Sequence, residues 1–154
     1  MKKKYWKAIS MFVLGIGLIA FSGCSNPDEK EGSSSGKQTF ARQDIDNLLL
    51  NVSEVKTAKT ENNKNKIIFT IEIENNNAQT KDIGSIDFLL KSDDKEYSVD
   101  ADSNNFGEPI EPNKKITKNL TFIAPEKLKK VKLVYKPMEK ELANWDLTVP
   151  SPSE

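Results

Sequence analysis

In "KIIFTIEIE", residues 66–74, Ile67, Phe69, Ile71 and Ile73 occupy every second position and alternate with Ile68, Thr70, Glu72 and Glu74. Successive side chains of a β-strand point to opposite faces, so this period of two gives one apolar face and one increasingly polar face. The same period runs outward in both directions. Upstream, in "LLLNVSEVK" (48–56), Leu48, Leu50 and Val52 alternate with Leu49 and Asn51. Downstream, "NNNAQTKD" (75–82) breaks the pattern, and "SIDFLLKS" (85–92) resumes it with Ile86, Phe88 and Leu90 on one face. "SDDK" (92–95) has the composition of a hairpin turn, after which Tyr97 and Val99 share a face.

"FGEPIEPNKK" (106–115) is punctuated by Gly and Pro, which disfavours a central strand. Ile116, Lys118, Leu120 and Phe122 then alternate, followed by a turn at 124–130, by Val131, Leu133 and Tyr135, and by Trp145, Leu147 and Val149. "MEKELAN" (138–144) is too short for more than a helical turn. About seven short strands separated by turn signals predict an all-β, antiparallel β-sandwich. Phe69, Phe88, Phe122 and Tyr135 are expected in its core, and Trp145 is a candidate exposed contact residue.

The N-terminus reads differently. Lys2, Lys3, Lys4 and Lys7 precede an uncharged run from Ile9 to Phe21, and the small residues Ser22 and Gly23 precede Cys24. That order is a secretory signal. The apolar run is shorter than the roughly 20 residues a membrane-spanning helix needs. "FSGC" (21–24) resembles the lipobox of bacterial lipoproteins, with Phe21 where that motif usually has an aliphatic residue. The resemblance implies a diacylglyceryl group on the Cys24 sulfur and cleavage before it. Two acyl chains suffice for stable membrane attachment. Residues 25–39, rich in Ser, Gly and charge, read as a flexible tether spanning roughly 20 Å on average. The expected organisation is a signal peptide at 1–23, lipidated Cys24 and linker at 24–45, a sandwich at 46–150 and a tail at 151–154.

Charge and missing residue types exclude several functions. Without 1–23, 19 basic residues face 23 acidic ones, a net charge of −4, which argues against nucleic acid and against general adhesion to polyanions. Cys24 is the only cysteine and there is no histidine. Ser-His-Asp and Cys-His catalysis, zinc sites built on Cys or His, and disulfides inside the domain are therefore excluded. Abundant Lys and Asn suggest a low-GC Gram-positive source.

Three constellations hold candidate chemistry. Asp100, Asp102, Asn104 and Glu111 fall at the first, third, fifth and twelfth places of a calcium-loop spacing, although Asn105 stands where such loops have Gly. Asp93–Asp94, or Glu72 with Glu74, are carboxylate pairs, but in a turn or on the outer face of a strand they read as solubilising residues. "KLKKVKLVYK" (127–136) could meet an acidic partner or guard a strand edge.

The order of "IIFTIEIENNN", "FLLKSDDKEYSVD", "EPIEPNKKITKNLTFIAPE" and "LKKVKLVYKP" resembles the DUF4352, or telokin-like, immunoglobulin-related domain of secreted and lipid-anchored bacterial proteins. The match runs over about residues 46–137, reaching at most 149, with Asn113 where the family often has Gly. It implies an immunoglobulin-like fold and brings no catalytic residues. The expected protein is a membrane-anchored, extracytoplasmic lipoprotein with a non-catalytic binding or scaffolding role, its partners being the membrane and an envelope protein. The alternatives are calcium or small-ligand capture by the 100–111 loop, and a signalling role for the released leader peptide.

Overall fold

The computed structural model describes residues 40–152; the signal, Cys24, most of the linker and the last two residues lie outside them. Among the described residues ten strands form: β1 (Gln43–Ile45), β2 (Leu48–Lys59), β3 (Lys64–Asn75), β4 (Lys81–Gly84), β5 (Phe88–Ser92), β6 (Lys95–Ser98), β7 (Gly107–Ile110), β8 (Lys114–Pro125), β9 (Lys130–Tyr135) and β10 (Ala143–Thr148). One sheet has the order β1-β2-β3-β8, the other β10-β9-β5-β6, and β4 pairs with β7 in a third of two strands. Every pairing is antiparallel. The return of β8 beside β3, and of β9 between β5 and β10, is the Greek-key connection of an immunoglobulin-like sandwich.

β3 is the central strand of its sheet. Ile67, Phe69, Ile71 and Ile73 are fully buried, in register with Phe122, Leu120, Lys118 and Ile116 of β8. Leu50 and Val52 of β2 oppose Ile73 and Ile71 before a register shift between Val52 and Glu54. The second sheet contributes Phe88, Leu90, Leu133, Tyr135, Trp145 and Leu147. Edge-on packing of Phe69 against Phe122, centroids 5.7 Å apart, anchors one side of the core, and Phe88 against Tyr135 at 5.0 Å the other.

Turn residues have the conformations their chemistry allows. Asp46 and Asn47, with φ of 49° and 63°, make the two-residue connection between β1 and β2. Asn62, Asn63, Asp93 and Asn113 also lie in the left-handed region, where Asn and Asp are tolerated best. Asn113 thus takes the conformation a glycine would otherwise supply.

Several expectations are revised. There are ten strands rather than about seven, because β1, β4 and β7 are three- or four-residue elements too short for a periodic signal. β1 lies within the stretch read as linker, and Phe40 already packs on the core. Ile86 does not share the inward face of Phe88 and Leu90: Ser85–Asp87 form a 3₁₀ turn that leaves it 87% exposed. Trp145 is buried instead of exposed, its indole N–H donating to the Ala41 carbonyl at 2.7 Å. A buried indole needs such a partner, and a segment a hundred residues away provides it.

The fully buried Asn75 closes the end of β3. Its side-chain amide donates to the carbonyls of Gln79 and Ile110, each at 2.8 Å, and its side-chain oxygen accepts from Asn77 N–H at 3.0 Å. Its own carbonyl accepts from Asn113 N–H at 2.7 Å. The backbone carbonyl of this residue therefore holds the loop before β8, and its side chain ties the loop after β3 to the end of β7. Removing it strands buried carbonyls whose desolvation costs about 1–3 kcal/mol each. Asn75→Ala is expected to destabilise the domain by about 2–4 kcal/mol, seen as a lower urea midpoint at unchanged slope.

Candidate functional site

The large apolar side chains exposed among the described residues are Ile86, Met138 and Leu142. Two come from 3₁₀ turns that share one end of the sandwich, and local hydrogen bonding explains how each is held out. In the first turn, Gly84 N–H donates to the Asp87 carboxylate at 2.8 Å. Ser85 is buried and locked to Phe106: its N–H donates to the Phe106 carbonyl at 2.8 Å, and its hydroxyl accepts from Phe106 N–H at 2.7 Å. A Cβ on Gly84 would approach the Phe106 carbonyl to 3.3 Å, so this position favours glycine. With Ser85 and Phe88 fixed inward, Ile86 has only solvent to face.

The second turn, Pro137–Glu139, is tied to the first by Lys136 N–H donating to the Asp87 carbonyl at 2.7 Å. It is closed by Leu142 N–H donating to the Tyr135 carbonyl at 3.0 Å and by the Lys136–Glu139 ion pair at 2.6 Å. Met138 and Glu139 both have positive φ, 48° and 64°. Met138 is 96% exposed. A long apolar side chain gains nothing for the fold there, and its backbone is one that Asn or Gly adopts more easily. Beneath the two turns, burial and then the nearby Asp87 carboxylate push the Tyr135 phenol up to about 12, so it is neutral throughout the physiological range. Beside them, Lys91 bridges Glu141 at 3.2 Å and Glu96 at 3.4 Å, which holds the Glu141 carboxyl below its ordinary value. Ile86 and Met138, on two turns joined by a backbone hydrogen bond, and Leu142, which closes the second, are the exposed apolar side chains of a small knuckle, set beside paired charges.

The 100–106 loop is organised by its own hydrogen bonds. Asp100 N–H donates to the Thr121 carbonyl at 2.7 Å, the Ser103 hydroxyl donates to the Asp100 carboxylate at 2.6 Å, and the Asn105 amide donates to the Asp100 carbonyl at 3.0 Å. Asp100, Asp102 and Asn104 lie on this loop, whereas Glu111 follows β7, a strand of four residues and roughly 13 Å. Among the described residues no three acidic side chains converge into a group able to hold a metal ion. Between the loop and the outer faces of β3 and β8 lies an open groove of about 670 Å³, lined by Lys66, Ile68, Asn104, Phe106, Lys118 and Thr121 among others. Lys118 takes an inward register position, but its ammonium reaches Glu108 and lies 6.0 Å from the Phe106 ring centroid.

The carboxylate pairs are engaged elsewhere. Glu72 pairs with Lys115 at 3.0 Å and accepts from the Asn51 amide; these bonds, Lys115 foremost, hold its carboxyl below its ordinary value. Glu74 pairs with Arg42 at 2.5 Å, and Asp93 and Asp94 occupy the exposed β5–β6 turn. Lys132 faces Asp146 at 3.7 Å. The knuckle escaped sequence reading because Ile86 has the parity of Phe88 and Leu90, and Met138 is an isolated apolar residue in a polar stretch.

The fold and these surfaces define an immunoglobulin-like β-sandwich bearing an apolar knuckle. The chain belongs to the family described as a domain of unknown function, DUF4352, whose sequence profile matches residues 32–142. No curated protein matches it in sequence. Among solved structures it is similar to a candidate lipoprotein of Bacillus subtilis, ycdA, at a TM-score of 0.58 and 18% identity over 72% of this chain. The match spans only 39% of that longer chain. It is also similar to the yjhA protein of Bacillus subtilis, at a TM-score of 0.52 and 16% identity over 71% of this chain and 96% of that one. Both likenesses are likenesses of fold.

Two outcomes are expected at these surfaces. A left-handed backbone costs a non-glycine residue about 1–2 kcal/mol, partly offset by the greater unfolded-state freedom of glycine, so Met138→Gly should stabilise by a few tenths to about 1 kcal/mol. A thermal melt of the variant checks this; a lower Tm would show that Met138 packs on something within the domain. Millimolar calcium should leave the wild-type melt unmoved, since ligand-linked stabilisation requires a site in the native state.

Proposed function

We propose that this protein is a lipid-anchored lipoprotein of the extracytoplasmic membrane face of a low-GC Gram-positive bacterium, tethered through diacylglyceryl-Cys24. Its sandwich acts as a non-catalytic binding or scaffolding module, docking the knuckle of Ile86, Met138 and Leu142 on an apolar pocket of an envelope protein. One observation carries the docking surface: a fully solvated methionine is kept in a left-handed conformation, on a turn hydrogen-bonded to a second turn that also exposes an apolar side chain. Backbone strain that contributes nothing to folding is characteristic of functional positions, and exposed apolar clusters mark interaction sites. The anchor is supported by the signal and "FSGC" sequence and by the fold shared with a candidate lipoprotein. Among the described residues, no helix is long and apolar enough to cross a membrane.

The test is in-cell photocrosslinking from a benzophenone amino acid at position 138, with a second probe at Thr117 on the outer face of β8 as control. Adducts at 138 that are absent at 117, and that disappear when Cys24→Ala releases the chain from the membrane, are the expected result. Identical adducts from both positions, or none from 138, would remove the knuckle as the docking surface.

A further inference from the structure

The two ends of the sandwich differ in charge. The turns at 60–63, 93–94 and 126–129 share one end, because β8 leads into β9 there and β5 turns into β6. This end exposes Lys59, Lys64, Lys95, Lys127, Lys129 and Lys130 against Glu61, Asp93, Asp94 and Glu126. Among the described residues, Lys64, Lys127, Lys129 and Lys130 have no carboxylate within ion-pair distance. The knuckle lies at the other end, where Asp44, Asp46, Asp82, Glu111, Glu139 and Glu141 outnumber Lys81, Lys114, Lys136 and Lys140. Along the twelve residues of β3, roughly 40 Å, the domain therefore carries a charge gradient that its near-neutral sum conceals.

The point where the chain joins the fold leaves either end free to turn toward the membrane. β1 runs antiparallel to β2, toward the acidic end, with Gln43 in register with Leu50, and Ala41 bonds Trp145 in the middle of β10, so the chain enters partway along the sandwich. Fifteen residues separate Cys24 from Phe40, and a Ser/Gly-rich chain of that length spans roughly 20 Å. That lets the domain reach a surface whose field decays over about 8–10 Å.

We propose that the lysine end, built around Lys64, Lys127, Lys129 and Lys130, is a docking surface for anionic lipid headgroups, and that it orients the tethered sandwich with the knuckle facing away from the bilayer. This deepens the anchored reading and rests on it for its setting. Lysines turned toward an anionic surface are attracted, whereas the reversed orientation would bring the carboxylates into the field and be repelled, so the gradient favours one orientation even though the net charge is slightly negative. A knuckle held outward is available to an envelope protein; a knuckle held against lipid would not be.

The sole cysteine allows a test that does not depend on lipidation in the cell. Residues 24–154, which contain the whole core from Leu48 to Val149, are coupled through the Cys24 thiol to a maleimide lipid in vesicles of phosphatidylglycerol or of phosphatidylcholine. Lysine acetylation is then mapped by mass spectrometry. On phosphatidylglycerol, labelling of Lys64, Lys127 and Lys129 should fall about threefold or more relative to phosphatidylcholine, while Lys114 and Lys140 stay unchanged, and about 1 M salt should abolish the difference. The Lys64→Glu, Lys127→Glu, Lys129→Glu triple variant, monitored at Lys59 and Lys130, should lose the protection, and the corresponding Arg variant should keep it. Protection at Lys114 and Lys140, equal protection at both ends, or no dependence on headgroup charge would overturn the proposal. The anchor itself is read separately, from the mass of the protein extracted from cell membranes. A chain without lipid there sinks the anchored reading without touching the vesicle result.

Discussion

The burial of Ile67, Phe69, Ile71 and Ile73 between two sheets is the constraint to which the rest of this domain conforms. β3 is paired on both sides, so its inward row meets β2 and β8 within its own sheet and the aromatic row of the second sheet across the core. Roughly 25 cal/mol for each Å² of apolar surface removed from water makes such a row the largest favourable contribution available to a chain without disulfides inside the domain. Where the row ends, buried Asn75 replaces apolar contact with side-chain hydrogen bonds to the loop after β3 and the end of β7 and a backbone bond to the loop before β8. The core and the connections at that end are in this way fixed by one strand.

With the core settled, the remaining freedom lies at the ends of the sandwich. One end is finished with lysine-bearing turns, the other with two 3₁₀ turns joined by the Lys136–Asp87 backbone hydrogen bond. The second end is chemically unusual. Buried Ser85 and the Asp87 cap satisfy the backbone around Ile86, and Leu142 N–H closes the turn containing Met138, so neither exposed side chain is needed to hold its turn. Surplus apolar surface on a well-bonded scaffold is what a docking site requires, because little conformational freedom remains to be lost on binding. In the proposed anchored setting, the opposite charge bias of the two ends would give the domain a preferred way to stand.

Much of the strand pattern was legible beforehand because β2, β3, β5, β8, β9 and β10 each place apolar residues at period two, and their faces follow from parity alone. Parity misled at Ile86. That residue stands two positions before Phe88, but the contact of Ser85 with Phe106, 21 residues away, curls the segment into a turn and reverses its exposure. Trp145 misled in the other direction, since the carbonyl that satisfies its indole belongs to Ala41, 104 residues earlier. The calcium spacing placed oxygen atoms at suitable intervals along the chain, yet β7 lies between Glu111 and the rest.

The sequence by itself carried the signal-like and lipobox-like pattern of the N-terminus, the exclusion of chemistry that needs histidine or a folded-domain cysteine, and the β-rich class with its central strand. These are local or compositional properties: a missing residue type is missing in any conformation, and a period of two is a statement about neighbours. Tertiary structure alone decided the ten-strand sandwich, the burial of Trp145 and the joining of the turns that carry Ile86 and Met138, 52 positions apart. Exposure and juxtaposition depend on which distant groups fill a face or complete a hydrogen bond, and no stretch of sequence specifies its own partner.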